Sequence, residues 1–210
     1  MNLGIVGTGA MGKVLYECAK EDGAFEKIYR IEPTEKNPWP VEKLDLIIDF
    51  SHPKALKSIY EYCQRNGGGI PVVLATTGYG AEEEKLVELL EKICPVHRSS
   101  NYSRGVAVMK KLCEEAAHQI GAESDVIITE VHHTKKKDAP SGTAKMLCQV
   151  LGLNPDDEEH VKSLRMGTVC GEHVVYFALE DEIIEIKHTA MSKRIFAMGA
   201  LEIGKKLNID

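Results

Sequence analysis

The amino-acid sequence predicts an α/β protein in two parts: a doubly wound parallel sheet, then a mixed α/β domain with a largely antiparallel sheet. Three observations carry this. Short, almost wholly apolar runs alternate with helical patterns through roughly the first hundred residues. A glycine turn, Gly7-Thr8-Gly9-Ala10-Met11-Gly12, joins the first apolar run to the first helix. Beyond Gly152 the pattern changes to closely spaced strands.

Each element follows from local pattern. Leu3 to Val6 is a buried strand, and after the glycine turn a helix runs to about Asp22. Lys27 to Ile31 is the second strand, ending at Glu32. Pro33, Pro38 and Pro40 make residues 33 to 43 a loop. Leu44 to Asp49 is the third strand, and Pro53, well placed in a first turn, starts a helix to about Arg65. Ile70 to Ala75, Ala81 to Ile93 and Pro95 to Arg98 read as strand, amphipathic helix and strand. Strands that are apolar on both faces and alternate with helices imply a parallel sheet with right-handed crossovers. In the second half, Ser103 to Ile120 is a helix, Asp125 to His133 a strand, and Ser141 to Leu151 a helix stopped by Gly152. Ser163 to Thr168, Glu172 to Leu179 and Glu182 to Thr189 read as antiparallel strands, with Glu180-Asp181 as a hairpin turn. Ile195 to Leu207 is a closing helix.

Composition narrows the function. Hydrophobic residues make up 43% and charged residues 28% of 210, which excludes a disordered chain. A net charge of -6 argues against a nucleic-acid surface, which needs excess Lys and Arg. No apolar run approaches the roughly 20 residues that span a bilayer, and Met1 to Val6 has no basic signal-peptide region. The expectation is a cytoplasmic protein without nucleic-acid or membrane partners. Six scattered cysteines (Cys18, Cys63, Cys94, Cys113, Cys148 and Cys170) form no C-x-x-C pair and read as free thiols in a reducing compartment. No metal site is expected.

The glycine turn has the context of a dinucleotide site. It follows a strand, opens a helix, and is followed 20 residues after Gly12 by Glu32 at the end of the next strand. Gly7 permits the tight turn, Gly9 lets the backbone approach a pyrophosphate, and Gly12 lets helix and strand pack closely. The helix N-terminus offers N–H groups to phosphate. Glu32 can accept hydrogen bonds from ribose hydroxyls, and its charge favours NADH because it repels a 2′-phosphate. Arg30 and Lys36 flank it and soften that preference, so NADH and NADPH both stay open. Ligands bind beyond the carboxyl ends of parallel strands. Asp49-Phe50-Ser51, Ala75-Thr76-Thr77-Gly78 and Ser99-Ser100-Asn101-Tyr102 therefore join the site, with a helix-cap role open for Ser51. The first part is thus Rossmann-like.

The segment from His132 to Thr143 carries the chemistry. His132 and His133 end a strand, and Lys135, Lys136 and Lys137 follow. Asp138, Pro140 and Ser141-Gly142-Thr143 then begin a helix. Residues 132 to 138 hold three Lys and one Asp, a local excess of positive charge that attracts an anionic substrate. The Ser-Gly-Thr turn offers donors to a carboxylate, and histidine moves protons near neutral pH. Lys135 and Lys137 read as solvated charge.

The run His132-His133-Thr134-Lys135-Lys136-Lys137-Asp138-Ala139-Pro140-Ser141-Gly142-Thr143-Ala144 closely resembles the signature of the 4-hydroxy-tetrahydrodipicolinate reductase (dihydrodipicolinate reductase) family of diaminopimelate and lysine biosynthesis. Gly7 to Gly12, Asp49-Phe50-Ser51, Thr76-Thr77-Gly78, Asn101-Tyr102-Ser103, Gly171-Glu172-His173 and His188-Thr189-Ala190 stand in the expected order, so the resemblance spans the chain and points to the shorter members. It implies His132 as acid/base, Lys136 as catalytic lysine, and His133, Ser141, Gly142 and Thr143 as substrate-carboxylate contacts. It implies cofactor contacts at Gly7, Thr8, Gly9, Ala10, Met11, Gly12, Glu32, Phe50, Ser51, Ala75, Thr76, Thr77, Ser99, Ser100, Asn101 and Tyr102. The implied domains are residues 1 to 102 for the dinucleotide, with a helix at 193 to 210 packing back on them, and 103 to 192 for substrate and a homotetramer. The implied reaction reduces a small cyclic dicarboxylate with NADH or NADPH and loses water. There are departures: Ala75 replaces a common glycine, Ser99-Ser100 an Ala-rich pair, and Pro33 a basic residue that some members place after the acid. Two rivals are an amino-acid dehydrogenase, which has no need of the basic block, and a sensor that binds NADH without turnover.

Overall fold

The computed structural model describes residues 1–32 and 39–208. Pro33, Lys36 and Pro38, and the end of the closing helix expected to run to residue 210, lie outside the described residues. The chain forms two compact units, Met1–Tyr102 with the segment from Phe196, and Ser103–Ile195.

The first unit is built on five parallel strands: β1 (Asn2–Val6), β2 (Lys27–Ile31), β3 (Leu46–Asp49), β4 (Val72–Leu74) and β5 (Val96–Arg98), in the order β2-β1-β3-β4-β5. Consecutive residues on a strand point to opposite faces, and here both faces are covered. Ile47 and Val72 face α2 (Leu56–Arg65) and α3 (Ala81–Glu91) through Ile59, Tyr62, Val87 and Leu90. Leu3, Ile5 and Ile48 face α1 (Ala10–Asp22) and α6 (Arg194–Leu207) through Leu15, Ala19, Ala197 and Leu201. Two helices lie very close to their supports. A Cβ on Gly12 would stand 1.9 Å from the Gly7 carbonyl oxygen, and one on Gly199 would stand 1.7 Å from that of Tyr102. The first helix begins at Ala10, so Gly12 lies inside its first turn rather than before it. The helix after Pro53 opens with a 3-10 turn, Pro53–Ala55, capped by His52 rather than Ser51: its Nδ1 accepts the Lys54 N–H at 3.3 Å.

The second unit is a four-stranded sheet, β6 (Asp125–His132), β7 (Val161–Arg165), β8 (Glu172–Ala178) and β9 (Ile183–Thr189), in the order β7-β6-β8-β9. Helices α4 (Arg104–Ile120) and α5 (Gly142–Leu151) cover one face, burying Met109, Cys113, Leu147 and Cys148 against Ile128, Val175 and Phe177. One expectation is corrected. β8 and β9 are antiparallel, but β7 pairs with β6 in parallel, with His132 opposite Arg165. The cause is α5, which lies between them. A strand–helix–strand crossover within one sheet returns the chain in the same direction. β7 also runs from Val161 to Arg165, not to Thr168, because Gly167 turns the chain with φ +48°. No described residue covers the other face: Ile127, Leu164 and Ile183 are 36%, 54% and 63% exposed.

Candidate active site

The dinucleotide-type site is confined to the first unit, at the carboxyl ends of the strands where the strand order reverses between β1 and β3. Gly7 takes φ +101°, and a Cβ there would meet the Phe50 carbonyl oxygen at 2.7 Å. Gly9 is the N-cap of α1 and supplies no side-chain cap, and the first turn carries no acidic residue. The leading N–H groups of α1 thus keep their capacity for an anion. Glu32 is tied to this turn: Oε2 accepts from the Thr8 hydroxyl at 2.5 Å and from the Thr8 N–H at 3.3 Å. Gly7, Thr8, Gly9, Glu32, Phe50 and Ser51 line one cavity of about 400 Å³, together with Lys54. Met11, Phe50, Ser51, Ala75, Thr76 and Thr77 line a second of about 420 Å³. These features fit a dinucleotide: an uncapped helix start for pyrophosphate, a carboxylate for ribose, and a polar cleft beyond.

Asp49, beside these linings in sequence, is fully buried at the end of β3. Its Oδ1 accepts from the Ser51 N–H at 3.0 Å and from the Ser51 hydroxyl, while the same N–H reaches Thr76 Oγ1 at 3.0 Å. Burial pushes the Asp49 carboxyl up to about 6, only partly offset by these hydrogen bonds. Not every expected contact joins the two linings. Gly12 faces the Gly7 carbonyl and serves packing. Ala10 opens the helix. Ser99 and Asn101 bond to each other, Ser99 Oγ to the Asn101 carbonyl at 2.8 Å, on the loop with Ser100. Tyr102 is buried, with its hydroxyl on the Leu74 carbonyl at 2.9 Å, and its ring meets Phe50 edge-on at 6.3 Å.

The second unit holds the His–Lys block. Alternation along β6 turns Glu130 and His132 to the covered face, where both are buried. His132 Nδ1 stands 2.5 Å from Glu130 Oε2. Arg165, opposite His132 on β7, places Nη1 and Nη2 on the two Glu130 oxygens at 3.0 and 2.9 Å and a further bond on the Asp138 carbonyl at 2.6 Å. The Ser141 N–H adds a contact to Glu130 Oε1 at 3.2 Å. Burial alone raises the Glu130 carboxyl, but the bonds from His132 and Arg165 outweigh it and bring it down to about 2. His173 of β8 meets the His132 ring edge-on at 5.2 Å. Burial, then the neighbouring His132, push His173 down to about 4, so it is neutral. Its Nε2 is hydrogen-bonded to the Ser141 hydroxyl at 2.9 Å.

The residues expected to meet substrate divide by what already holds them. Ser141 caps α5, Oγ accepting the Ala144 N–H at 3.2 Å, and is buried. Thr143 is also buried, whereas Gly142 is exposed at the start of the helix. Lys136 Nζ sits on both oxygens of Asp138 at 2.8 and 2.7 Å. His133, next on the chain after β6, is half-buried with an unpartnered Nδ1, and burial and then Lys193 hold its pKa below the usual histidine range. Lys135 and Lys137 are exposed. The sequence pattern assigns no role to Glu130, Arg165 or His173. The two-residue spacing from Glu130 to His132 on a strand was the available signal for the first. Arg165 required the register of β7.

Family models described as the N- and C-terminal parts of dihydrodipicolinate reductase match residues 1–102 and 105–209. The 4-hydroxy-tetrahydrodipicolinate reductase of Thermosipho africanus is 38% identical over 208 residues, covering 98% of this chain and 90% of the relative. That of Brachyspira hyodysenteriae is 38% identical over 226 residues, covering 99% and 94%. A dipicolinate-bound dihydrodipicolinate reductase from Paenisporosarcina sp. TG-14 superposes with TM-score 0.71 at 20% identity, covering 99% of this chain and 94% of that one. The aspartate dehydrogenase of Thermotoga maritima shares the fold with TM-score 0.57 at 17% identity, covering 99% and 96%.

Proposed function

Because the chain belongs to the dihydrodipicolinate reductase family, we propose that it reduces 4-hydroxy-tetrahydrodipicolinate to tetrahydrodipicolinate with loss of water, using NADH or NADPH. This is a step of lysine and diaminopimelate biosynthesis. The observation that carries the chemistry is His132, buried with Nδ1 on a carboxylate and leaving Nε2 to exchange a proton. Gly7 to Met11 and Glu32 hold the pyrophosphate and ribose; Phe50, Ser51 and Ala75 to Thr77 line the cleft for the rest. When bound, the reduced nicotinamide supplies hydride to an unsaturated carbon of the ring. Lys136 exchanges Asp138 for a substrate carboxylate, and the exposed Gly142 N–H at the start of α5 receives one as well, with His133 beside them. Ser141 acts through its cap, which fixes that turn, and Thr143 through packing. His132 gives its proton to the reduced product, and loss of the hydroxyl as water precedes reduction.

The dipicolinate held by the Paenisporosarcina protein supports a small dicarboxylate as substrate here. We also place the protein in the cytoplasm, where six cysteines with no disulfide among them suit a reducing compartment. We place it as a homotetramer built on the open face of the second-unit sheet, where Leu164 and Ile183 stand in water in the single chain. The test is oxidation of NADH and NADPH with enzymatically generated substrate. Wild type turns over, and His132→Gln and Lys136→Ala each lose at least about a hundredfold, the ordinary worth of a placed acid or cation. Near-normal turnover in either variant removes that residue from its role. Aspartate-dependent reduction of NAD in place of this activity would assign the chain a different reaction.

A further inference from the structure

We infer that Glu130 is a positioning residue of the reaction: it holds a proton on His132 Nδ1, so that Nε2 alone changes protonation state as the substrate is reduced. The inference rests on the role given to His132 above.

The geometry determines the tautomer. Glu130 is fully buried and accepts from four directions: His132 Nδ1 at 2.5 Å, Arg165 at 3.0 and 2.9 Å, and the Ser141 N–H at 3.2 Å. Arg165 keeps its protons in proteins, and a backbone amide only donates. Both oxygens therefore act as acceptors, and the carboxylate is ionised, as its low pKa of about 2 also has it. An ionised carboxylate 2.5 Å from Nδ1 requires hydrogen on Nδ1. Neutral His132 then has its lone pair on Nε2, and protonated His132 has a donor there.

The groups around the ring reinforce this division. Glu130 comes from the same strand, Arg165 from β7, and His173 from β8 with His188 of β9 opposite it, while Lys136 follows in the loop. His173 is neutral and spends its Nε2 on Ser141. Lys136 is matched by Asp138. Glu130 is thus the one anion in contact with the ring among the described residues. Arg165 shares that charge and keeps the carboxylate from taking the proton itself. Behind the ring, a Cβ at Gly171 would stand 3.0 Å from Nε2, so glycine there leaves the reacting nitrogen room. Glu130 also spans three elements through β6, Arg165 of β7 and the α5 cap. A merely structural role is therefore the alternative to be separated.

Glu130→Gln keeps the shape and removes the charge. The expected result is a kcat at least about tenfold lower, with KM for NADH within about twofold. The alkaline limb of the kcat–pH profile moves to lower pH by about one unit, the shift that a tenfold weaker preference for the imidazolium produces. Glu130→Asp, which keeps the charge, restores part of the pH profile. Nitrogen-15 NMR of the wild-type His132 ring at high pH shows hydrogen on Nδ1, and this reading needs no variant should the Gln substitution fail to fold. A wild-type ring with hydrogen on Nε2, or an unmoved limb in Glu130→Gln, overturns the inference. If His132→Gln keeps full turnover, the parent reading fails. If that variant is dead while Glu130→Gln keeps the wild-type profile, only the role of Glu130 fails.

Discussion

Gly9 and Gly12 share one turn but answer to different constraints, and replacing each by alanine separates the fold from the cofactor. A methyl on Gly12 would stand 1.9 Å from the Gly7 oxygen, where real Cβ contacts stay beyond 3.0 Å, so the start of α1 must retreat from β1 by about 1.1 Å or more. Overpacking of this kind costs about 1–3 kcal/mol. For a chain of 210 residues that is a fall in Tm of about 2–12 °C. Gly9 has φ -69° and ψ -164°, open to any residue, and nothing lies within 4 Å of a Cβ built there. Its alanine variant keeps the wild-type Tm or gains slightly, because the unfolded chain loses freedom. The space it fills, however, is where the proposed cofactor placement brings a pyrophosphate against the uncapped helix. NADH affinity therefore falls at least tenfold, about 1.4 kcal/mol. Thermal melts and titration of nicotinamide fluorescence measure both. Normal NADH binding by Gly9→Ala would refute the placement of the pyrophosphate, and an unchanged Tm in Gly12→Ala would refute the packing argument.

Three further outcomes follow. Glu32→Gln removes the charge facing the ribose site, so kcat/KM for NADPH over NADH rises by about tenfold, read from initial rates with both cofactors; an unchanged ratio ends the specificity argument. Asp49 is raised in the fold, so the folded state binds its proton more tightly than the unfolded state. Stability held below about pH 4 is lost as pH rises through about 6. Asp49→Asn consequently raises Tm at pH 7.5, by an effect on the order of 3 kcal/mol, and by much less at pH 4; equal gains at both pH values contradict the burial explanation. Ile183→Asp puts a charge on the open sheet face and converts the proposed tetramer to smaller species in analytical ultracentrifugation, while a tetramer that survives moves the interface elsewhere.

Much of the first unit was legible because buried parallel strands are runs such as Leu46-Ile47-Ile48, which no surface element imitates. The glycine turn was legible because two of its glycines meet backbone demands, Gly7 with φ +101° and Gly12 with its close approach to the Gly7 carbonyl. The second unit was less so. The direction of β7 is fixed by its pairing, a long-range property, and its strand pattern alone does not distinguish the two senses; the helix between β6 and β7 was the clue. Glu130 reads in sequence as a polar residue on a strand. Its meaning depends on Arg165, 35 residues later, whose guanidinium is what allows a carboxylate to be buried at all. Ser141 shows the converse: the sequence reads it as a ligand contact, and the fold commits its hydroxyl to a helix cap and to His173.

The return of α6 to the first unit sets an order in time. Ala197, Ala200 and Leu201 cover Leu3, Ile5 and Ile48 on one face of the parallel sheet, and these residues come from opposite ends of the chain. On the ribosome, Ser103–Ile195 is complete and can close its own core while that face of the earlier-made sheet has only α1 on it and still lacks α6. The part synthesised first is therefore the part finished last. Its half-covered sheet is the species most exposed to wrong partners during synthesis.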